Sequence, residues 1–290
     1  MRQLLILSGK GGTGKTTIAS AFIKLASAKA FADCDVDAPN LHLIMNRLGE
    51  PQCTDYYGLS KAVIDEKSCI GCGACFNNCR FEAITSKNGK YEVKQLACEG
   101  CSLCEVLCPV HAIKMVPAVA GELMLYKDSK SVFSTAQLKM GSGTSGMLVT
   151  SVKNQMKDAA YPDTELAIID GSPGIGCPVI ASMSGADMVL IVAEPSVSGI
   201  SDMERIVKTA RQFGVKMAVC VNKYDTNLAN TKKIEEYCQK EKLFFAGRVP
   251  FDENAGKAIN RGLSVIDIQC PAQQAVSDLF STTMKLLKSI

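Results

Sequence analysis

Residues 9–17, Gly9-Lys10-Gly11-Gly12-Thr13-Gly14-Lys15-Thr16-Thr17, restrict the fold more than any other stretch of the chain. They follow an apolar run, Leu4-Leu5-Ile6-Leu7, short enough to be a buried strand. Behind them Ile18, Phe22, Ile23 and Leu25 recur at helical spacing. Strand, glycine loop and helix in that order form the setting of a phosphate-binding loop, and Gly9-x4-Gly14-Lys15-Thr16 meets its pattern at every fixed position. Glycines let backbone N–H groups turn onto phosphate oxygens, and the helix N-terminus adds its positive dipole end. Lys15 then reaches the β- and γ-phosphates, and the Thr16 hydroxyl completes a magnesium shell. A solvated lysine on a glycine-rich turn is the plainer reading, but it leaves the flanking strand and helix without a purpose.

Lys10, one position after the first glycine, is unusual for such loops. Lys-Gly-Gly-Thr-Gly-Lys-Thr-Thr resembles the deviant Walker A loop of the MinD/ParA/Mrp family, which also holds the nitrogenase iron protein. The resemblance implies ATP or ADP with Mg2+, bound by Gly11, Gly12, Thr13, Gly14, Lys15, Thr16 and Thr17. It also implies a homodimer, or a heterodimer with a paralogous ATPase, in which Lys10 touches the nucleotide of the partner subunit. Downstream, Asp33-Cys34-Asp35, followed five residues later by Asn40-Leu41, is similar to the family's first switch. By that likeness Asp33 lies near magnesium and Asp35 orients the attacking water, so that Lys10, Lys15 and Asp35 are the catalytic set. Leu166-Ala167-Ile168-Ile169-Asp170 is an apolar strand ending in an acid, and Gly171-Ser172-Pro173-Gly174 resembles the second switch. Asp170 then joins Thr16 and Asp33 at the magnesium, and the amide near Gly174 senses the γ-phosphate.

Fourteen cysteines set the rest of the chain apart. Cys69-x2-Cys72-x2-Cys75-x3-Cys79 is repeated as Cys98-x2-Cys101-x2-Cys104-x3-Cys108 at an offset of 29 residues, and Ala83-Ile84 recurs as Ala112-Ile113. Zinc is the competing reading of paired Cys-x2-Cys, but four ligands explain neither the third cysteine nor the trailing x3 spacing. The duplicated run resembles the bacterial ferredoxin that carries two 4Fe–4S clusters, in which the fourth cysteine of each run serves the other cluster. That likeness assigns Cys69, Cys72, Cys75 and Cys108 to one cluster and Cys79, Cys98, Cys101 and Cys104 to the other. Arg80 stands where the repeat has Pro109.

These segments predict a doubly wound, mostly parallel α/β sheet of the P-loop type, in two pieces, 1–60 and 118–290. An inserted ferredoxin unit of the bacterial α+β type occupies 61–117. Residues 122–126 and 131–133 read as strands, 147–159 as a helix, and strand–helix alternation resumes to the end. Asn222-Lys223-Tyr224-Asp225 fits the Asn-Lys-x-Asp guanine signature. The MinD-like resemblance instead implies adenine, contacted by Asn222 and by a loop at Pro250 and Asp252. Cys177 reads as a small buried cysteine. The C-terminal helix, with Val276, Leu279, Phe280, Met284 and Leu287 on one face, reads as a core cover and not a membrane anchor.

Apolar residues at 47% and charged residues at 21% describe a soluble globular chain. A net charge of +3 makes no case for nucleic acid or an anionic membrane as the main partner. A phosphate loop that starts in a core strand, and clustered cysteines, suit a reducing cytoplasm. Three functions are then expected candidates. The first is ATP-gated electron transfer to a redox acceptor. The second is metal or cluster delivery to a client metalloenzyme. The third is a positioning ATPase with structural or redox-sensing clusters. The splice some 25 residues after Asp35 points to the first switch as the link between the two halves.

Overall fold

A computed structural model of the chain describes residues 1–45 and 49–290. Its centre is β1 (Arg2–Leu7), in which Leu4 through Leu7 are fully buried. Successive strand side chains point to opposite faces. Leu5 and Leu7 therefore join one apolar layer, and Leu4 and Ile6 the other. A strand covered on both sides needs an unbroken apolar run, which is why no alternation is seen there.

From β1 the chain passes through α1 (Lys15–Ala26), β2 (Ala30–Asp33), the single turn α2 (Leu41–Ile44) and β3 (Gln52–Tyr57). It then makes β4 (Lys61–Ile64), α3 (Ala74–Asn78), β5 (Ile84–Lys87), β6 (Lys90–Val93), α4 (Leu103–Leu107) and β7 (Ile113–Val116). It returns through β8 (Val119–Lys127), β9 (Val132–Leu138), α5 (Ser145–Ala159), β10 (Leu166–Asp170), α6 (Cys177–Met183) and β11 (Met188–Ala193). The last elements are α7 (Val197–Gln212), β12 (Lys216–Asn222), α8 (Leu228–Lys240), β13 (Phe244–Val249), α9 (Glu253–Ile259) and α10 (Pro271–Lys288).

Among the described residues nine strands form the main sheet, in the order β13-β12-β11-β1-β10-β2-β9-β8-β3. Pairing is parallel from β13 to β9 and antiparallel for β8 and β3. The sheet is mostly parallel, as the alternating elements imply. β8 is longer than its sequence suggests, because it pairs with β9 on one side and β3 on the other. β1 lies between β10 and β11, so the chain turns to opposite sides at its end, where open α/β sheets bind ligands. α10 buries Val276, Leu279 and Leu287, and Phe280 meets Phe22 edge-on at 5.1 Å. It covers the core. No helix among the described residues is long and apolar enough to cross a membrane.

Residues 61–116 pair among themselves. β4 joins β7 with Lys61 opposite Val116, and β5 joins β6 through Asn88-Gly89, both at positive φ, as a tight hairpin requires. Their apolar side chains form a small cluster of their own. The duplication is visible in the backbone: α3 and α4 begin at 74 and 103, the sequence offset of 29. Gly73 (φ 76°) and Ser102 (φ 63°) precede them in the same left-handed conformation. Cys79 and Cys108 end them at φ −72° and −75°, so Arg80 in place of proline leaves the turn unchanged.

Candidate nucleotide site and cysteine cavities

The glycine loop leaves β1 and enters α1 through Gly14, whose φ of 90° only glycine adopts without strain. A Cβ there would also lie 2.2 Å from Asn222 Nδ2. That amide donates to Thr13 O at 2.7 Å, and Lys223 Nζ donates to Gly12 O at 2.9 Å. The end of β12 thus holds the loop from behind. In front of it opens a cavity lined by Lys10 through Thr17, Asp35, Asn40 and Pro173.

Three buried charges converge under this loop. Lys15 Nζ lies 2.6 Å from Asp170 Oδ1, and Asp33 and Asp170 are wholly buried. Burial pulls the Lys15 ammonium down, but Asp170 and Asp33 outweigh it and leave it above the usual lysine value. Burial and the Asp170 charge push the Asp33 carboxyl up to about 7, against the pull of Lys15 and the amides it accepts from. Burial likewise raises Asp35, opposed by Lys15. Asp170 Oδ2 is buried with no hydrogen-bond partner. A carboxylate oxygen left bare next to a second carboxylate suits a hard dication such as magnesium, which takes oxygen ligands. Asp33 also has a task the sequence does not reveal. Its Oδ1 accepts from Asp35 N, and its Oδ2 from Asn40 N and Leu41 N, each at 3.0 Å, so it shapes the loop that carries Asp35.

The Gly171–Gly174 loop is fixed to the same region. Gly171 N donates to Ile6 O at 2.9 Å, and Ser172 Oγ donates to Cys34 O. Gly174 N, the amide expected to sense a γ-phosphate, donates to Ser8 O at 3.0 Å. Lys10 turns to its own chain, with Nζ 3.3 Å from Glu194 and within 3.4 Å of Ser196 and Ser198 hydroxyls. Glu194 was not singled out in the sequence. Its signal is an acid directly after the buried apolar strand Met188–Ala193.

A second cavity extends from Gly14 and Thr17 to Asn222, Pro250 and Asp252. Asp252 caps α9, its Oδ1 accepting from Asn254 N at 2.9 Å and its Oδ2 from Ala272 N at 3.3 Å. Asp225 does not line this cavity; its Oδ1 accepts from Phe251 N at 2.7 Å.

The eight paired cysteines line two separate cavities. Cys69, Cys72, Cys75 and Cys108 share one with Ile64 and Val110. Cys79, Cys98, Cys101 and Cys104 share the other with Ile84 and Met115, and Cys75 reaches the wall between them. Thiols in an apolar lining suit a thiolate-ligated cluster. Ala83 N donates to Cys79 Sγ at 3.4 Å and Ala112 N to Cys108 Sγ at 3.2 Å, the same bond in each repeat. Burial, and to a lesser degree neighbouring thiols, raises Cys75 and Cys104. Among the described residues no three His, Cys, Asp or Glu side chains are gathered closely enough to hold a single ion.

The second run also touches the nucleotide half. A Cβ on Gly100 would lie 2.5 Å from Ser60 O. Gly141 and Gly143 pass so close that a Cβ on them would lie 3.6 Å from Leu96 and 3.2 Å from Glu99. Three residues beyond Gly143, a Cβ on Gly146 would meet Cys177 Cβ at 3.1 Å. Cys177 is exposed, contrary to the sequence reading, because it opens α6 just beyond the Gly171–Gly174 loop.

Strand, glycine loop and helix, with Lys15 and Asp170 paired beneath, define a P-loop nucleotide-binding protein. The family described as the CobQ/CobB/MinD/ParA nucleotide binding domain matches residues 4–265, and the chain belongs to it. An uncharacterized protein of Methanocaldococcus jannaschii is 30% identical over 282 residues, covering 96% of this chain and 95% of that protein. An iron-sulfur cluster carrier protein of Pyrococcus horikoshii is 22% identical, over 99% of this chain and 87% of its own. The septum site-determining protein MinD of Pyrococcus horikoshii, solved in complex with Mg-ADP, has the same fold. Its TM-score is 0.59 at 16% identity, covering 98% of this chain and 96% of that one.

Proposed function

We propose that this chain is an ATP-hydrolysing iron–sulfur protein in which a nucleotide-driven dimer switch governs electron transfer through two 4Fe–4S clusters held by an inserted ferredoxin unit, residues 61–117. The observation that carries it is the pair of cavities, each lined by three cysteines of one run and the fourth of the other. On this reading Lys15, Thr16 and the glycine-loop amides hold the phosphates. Thr16, Asp33 and Asp170 face magnesium. Asp35 orients water, and Asn222, Pro250 and Asp252 lie at the base. Bound there, the clusters would supply one-electron chemistry between a reductant and an acceptor protein. The chain's part is to hold them in an apolar setting, with the Ala83 and Ala112 amides on cysteine sulfurs, both of which tune a cluster's potential.

Cluster delivery to a client enzyme is the second reading, favoured by the exposure of Cys72 and Cys101 and by the relative named as a cluster carrier. Anaerobic purification followed by electron paramagnetic resonance of the reduced protein, with and without ATP, tests both. Two interacting reduced clusters that survive incubation with an apo acceptor support electron transfer. Loss of iron to that acceptor supports delivery, and a protein that holds no iron–sulfur signal refutes both.

A further inference from the structure

The two cysteine cavities repeat each other in backbone but not in charge. Among the described residues Glu99 is the only charged side chain on either wall, and its counterpart one repeat earlier is the exposed, apolar Ile70. We infer that the two sites are unequal: the nucleotide state is read at the site of Cys79, Cys98, Cys101 and Cys104, and Glu99 is the residue that carries it there. The inference rests on the cluster-bearing reading above and adds to it where, and through which side chain, the switch acts.

Three observations carry it. Glu99 belongs to the cavity wall and to the nucleotide half at once, since a Cβ on Gly143 would lie 3.2 Å from its Oε2. Thr144 follows and opens α5, so the carboxylate sits by a helix N-terminus, where negative charge is favoured. The segment that meets Glu99 is in turn tied to the first switch. Leu138 N, at the end of β9, donates to Val36 O at 2.8 Å, and Gln137 Nε2 donates to Asp37 O at 3.2 Å. Gly141 comes three residues later, against Leu96. The first run is placed differently. A Cβ on Gly71 would meet Gly89 O at 3.3 Å, and one on Gly73 would meet Tyr91 Oη at 2.9 Å, both in the hairpin of its own unit. Gly100, which matches Gly71, meets Ser60 instead. Reduction adds negative charge to a cluster, and a neighbouring carboxylate opposes it. A shift of the Gly141–Gly143 segment against the second run therefore alters how strongly Glu99 opposes reduction there, and leaves the first site as it was.

The test is a redox titration of the full chain, followed by electron paramagnetic resonance, with and without a non-hydrolysable ATP analogue. Cys72→Ser and Cys101→Ser, each altering one site, assign the two midpoints. The analogue should move the second-run midpoint and leave the first in place. Glu99→Gln removes one exposed charge, so it should raise the reduced-to-oxidised ratio of the second cluster by about two- to fivefold at a fixed potential. It should leave the first cluster unchanged and shrink the effect of the analogue. Midpoints that ignore the analogue, equal movement of both, movement of the first alone, or a full response in Glu99→Gln would overturn the inference. Amide hydrogen exchange is the independent reading, because it needs no bound cluster. The analogue should change protection over residues 96–102 and not over the matching residues 67–73. Exchange unaltered in 96–102, or altered equally in both stretches, refutes the route whatever the clusters do. A protein that holds no cluster but shows the confined change refutes the functional reading and leaves the route from the first switch to the second run standing.

Discussion

The ammonium of Lys10 lies 3.3 Å from Glu194 Oε2 of the same chain. With 35% and 24% of the two side chains exposed, such a pair is worth at most about 1 kcal/mol. It holds Lys10 against its own subunit, yet a nucleotide phosphate on a partner could displace it. Glu194→Gln removes the competitor, so dimer formation with Mg-ATP should rise by about two- to fivefold in association constant. Sedimentation velocity reads this, and an unaltered constant would separate Glu194 from dimerisation.

Lys10→Ala is the complementary test. Lys15 and the loop amides remain, so nucleotide should still bind. Turnover should fall by about 10³, the scale of effect for a cation placed at a transferring phosphate. Near-normal hydrolysis by Lys10→Ala means that the lysine does not act across a dimer.

Asp33 makes the nucleotide-free protein sensitive to pH. Its carboxyl is raised by burial and by Asp170 to about 7, above its value in the unfolded chain. Between roughly pH 4 and 7 the folded state therefore binds more protons than the unfolded, and stability falls as pH rises through that window. Denaturant titrations at several pH values should show this slope in wild type and a flatter one in Asp33→Asn. Equal slopes in the two proteins would remove Asp33 as its source.

The shared cavities make a pairwise prediction for the cysteines. Cys108→Ser should disturb the cluster of Cys69, Cys72 and Cys75, and Cys79→Ser that of Cys98, Cys101 and Cys104. Each variant should fall from about eight irons per chain toward four, and the surviving reduced cluster should lose its magnetic coupling to a neighbour. If Cys79→Ser instead spares Cys98, Cys101 and Cys104 and empties its own run, the cross-over is wrong.

What the sequence made legible is what local spacing determines. The glycine loop, the acids ending β2 and β10 and the repeat at 29 residues are written in adjacent residues, and each is found at the place its spacing implies. What it concealed depends on residues brought together from afar. Glu194 meets Lys10 across 184 positions, and Phe251 meets Asp225 across 26. Cys177, read from the sequence as a small buried cysteine, is exposed, because the loop after β10 carries it to the start of α6 at the surface. Besides the expected route through the first switch, a second line of contact joins the halves. The contacts of Leu96 and Glu99 fall on Gly141 and Gly143, and Gly146, in the first turn of α5, abuts Cys177 beyond the second switch. α5 and α6 are further tied by Lys153 Nζ, which donates to Ser182 O and Ser184 O at 2.5 Å each.

Gly146→Ala probes that route. The added methyl meets Cys177 backbone and Cβ at 3.1 to 3.3 Å and must part the two helices, at a cost of about 1–3 kcal/mol. Nucleotide should still bind. Any shift of cluster potential caused by a non-hydrolysable ATP analogue should shrink, where about 60 mV corresponds to a tenfold change in coupled affinity. A shift that persists unaltered would return the coupling to the first switch.

The register of β1 has a consequence for how the molecule is made. Arg2 pairs with Leu166 and Leu7 with Ile191, so the strand that presents the glycine loop finds its neighbours only after most of the chain has been synthesised. The cysteine-bearing segment closes on itself, Lys61 against Val116 and Ile84 against Val93. Shorter loops close at lower entropic cost and fold sooner. On the ribosome this segment therefore completes its pairings while β1 is still an unpaired strand, and the thiols are gathered before there is a sheet to carry a nucleotide.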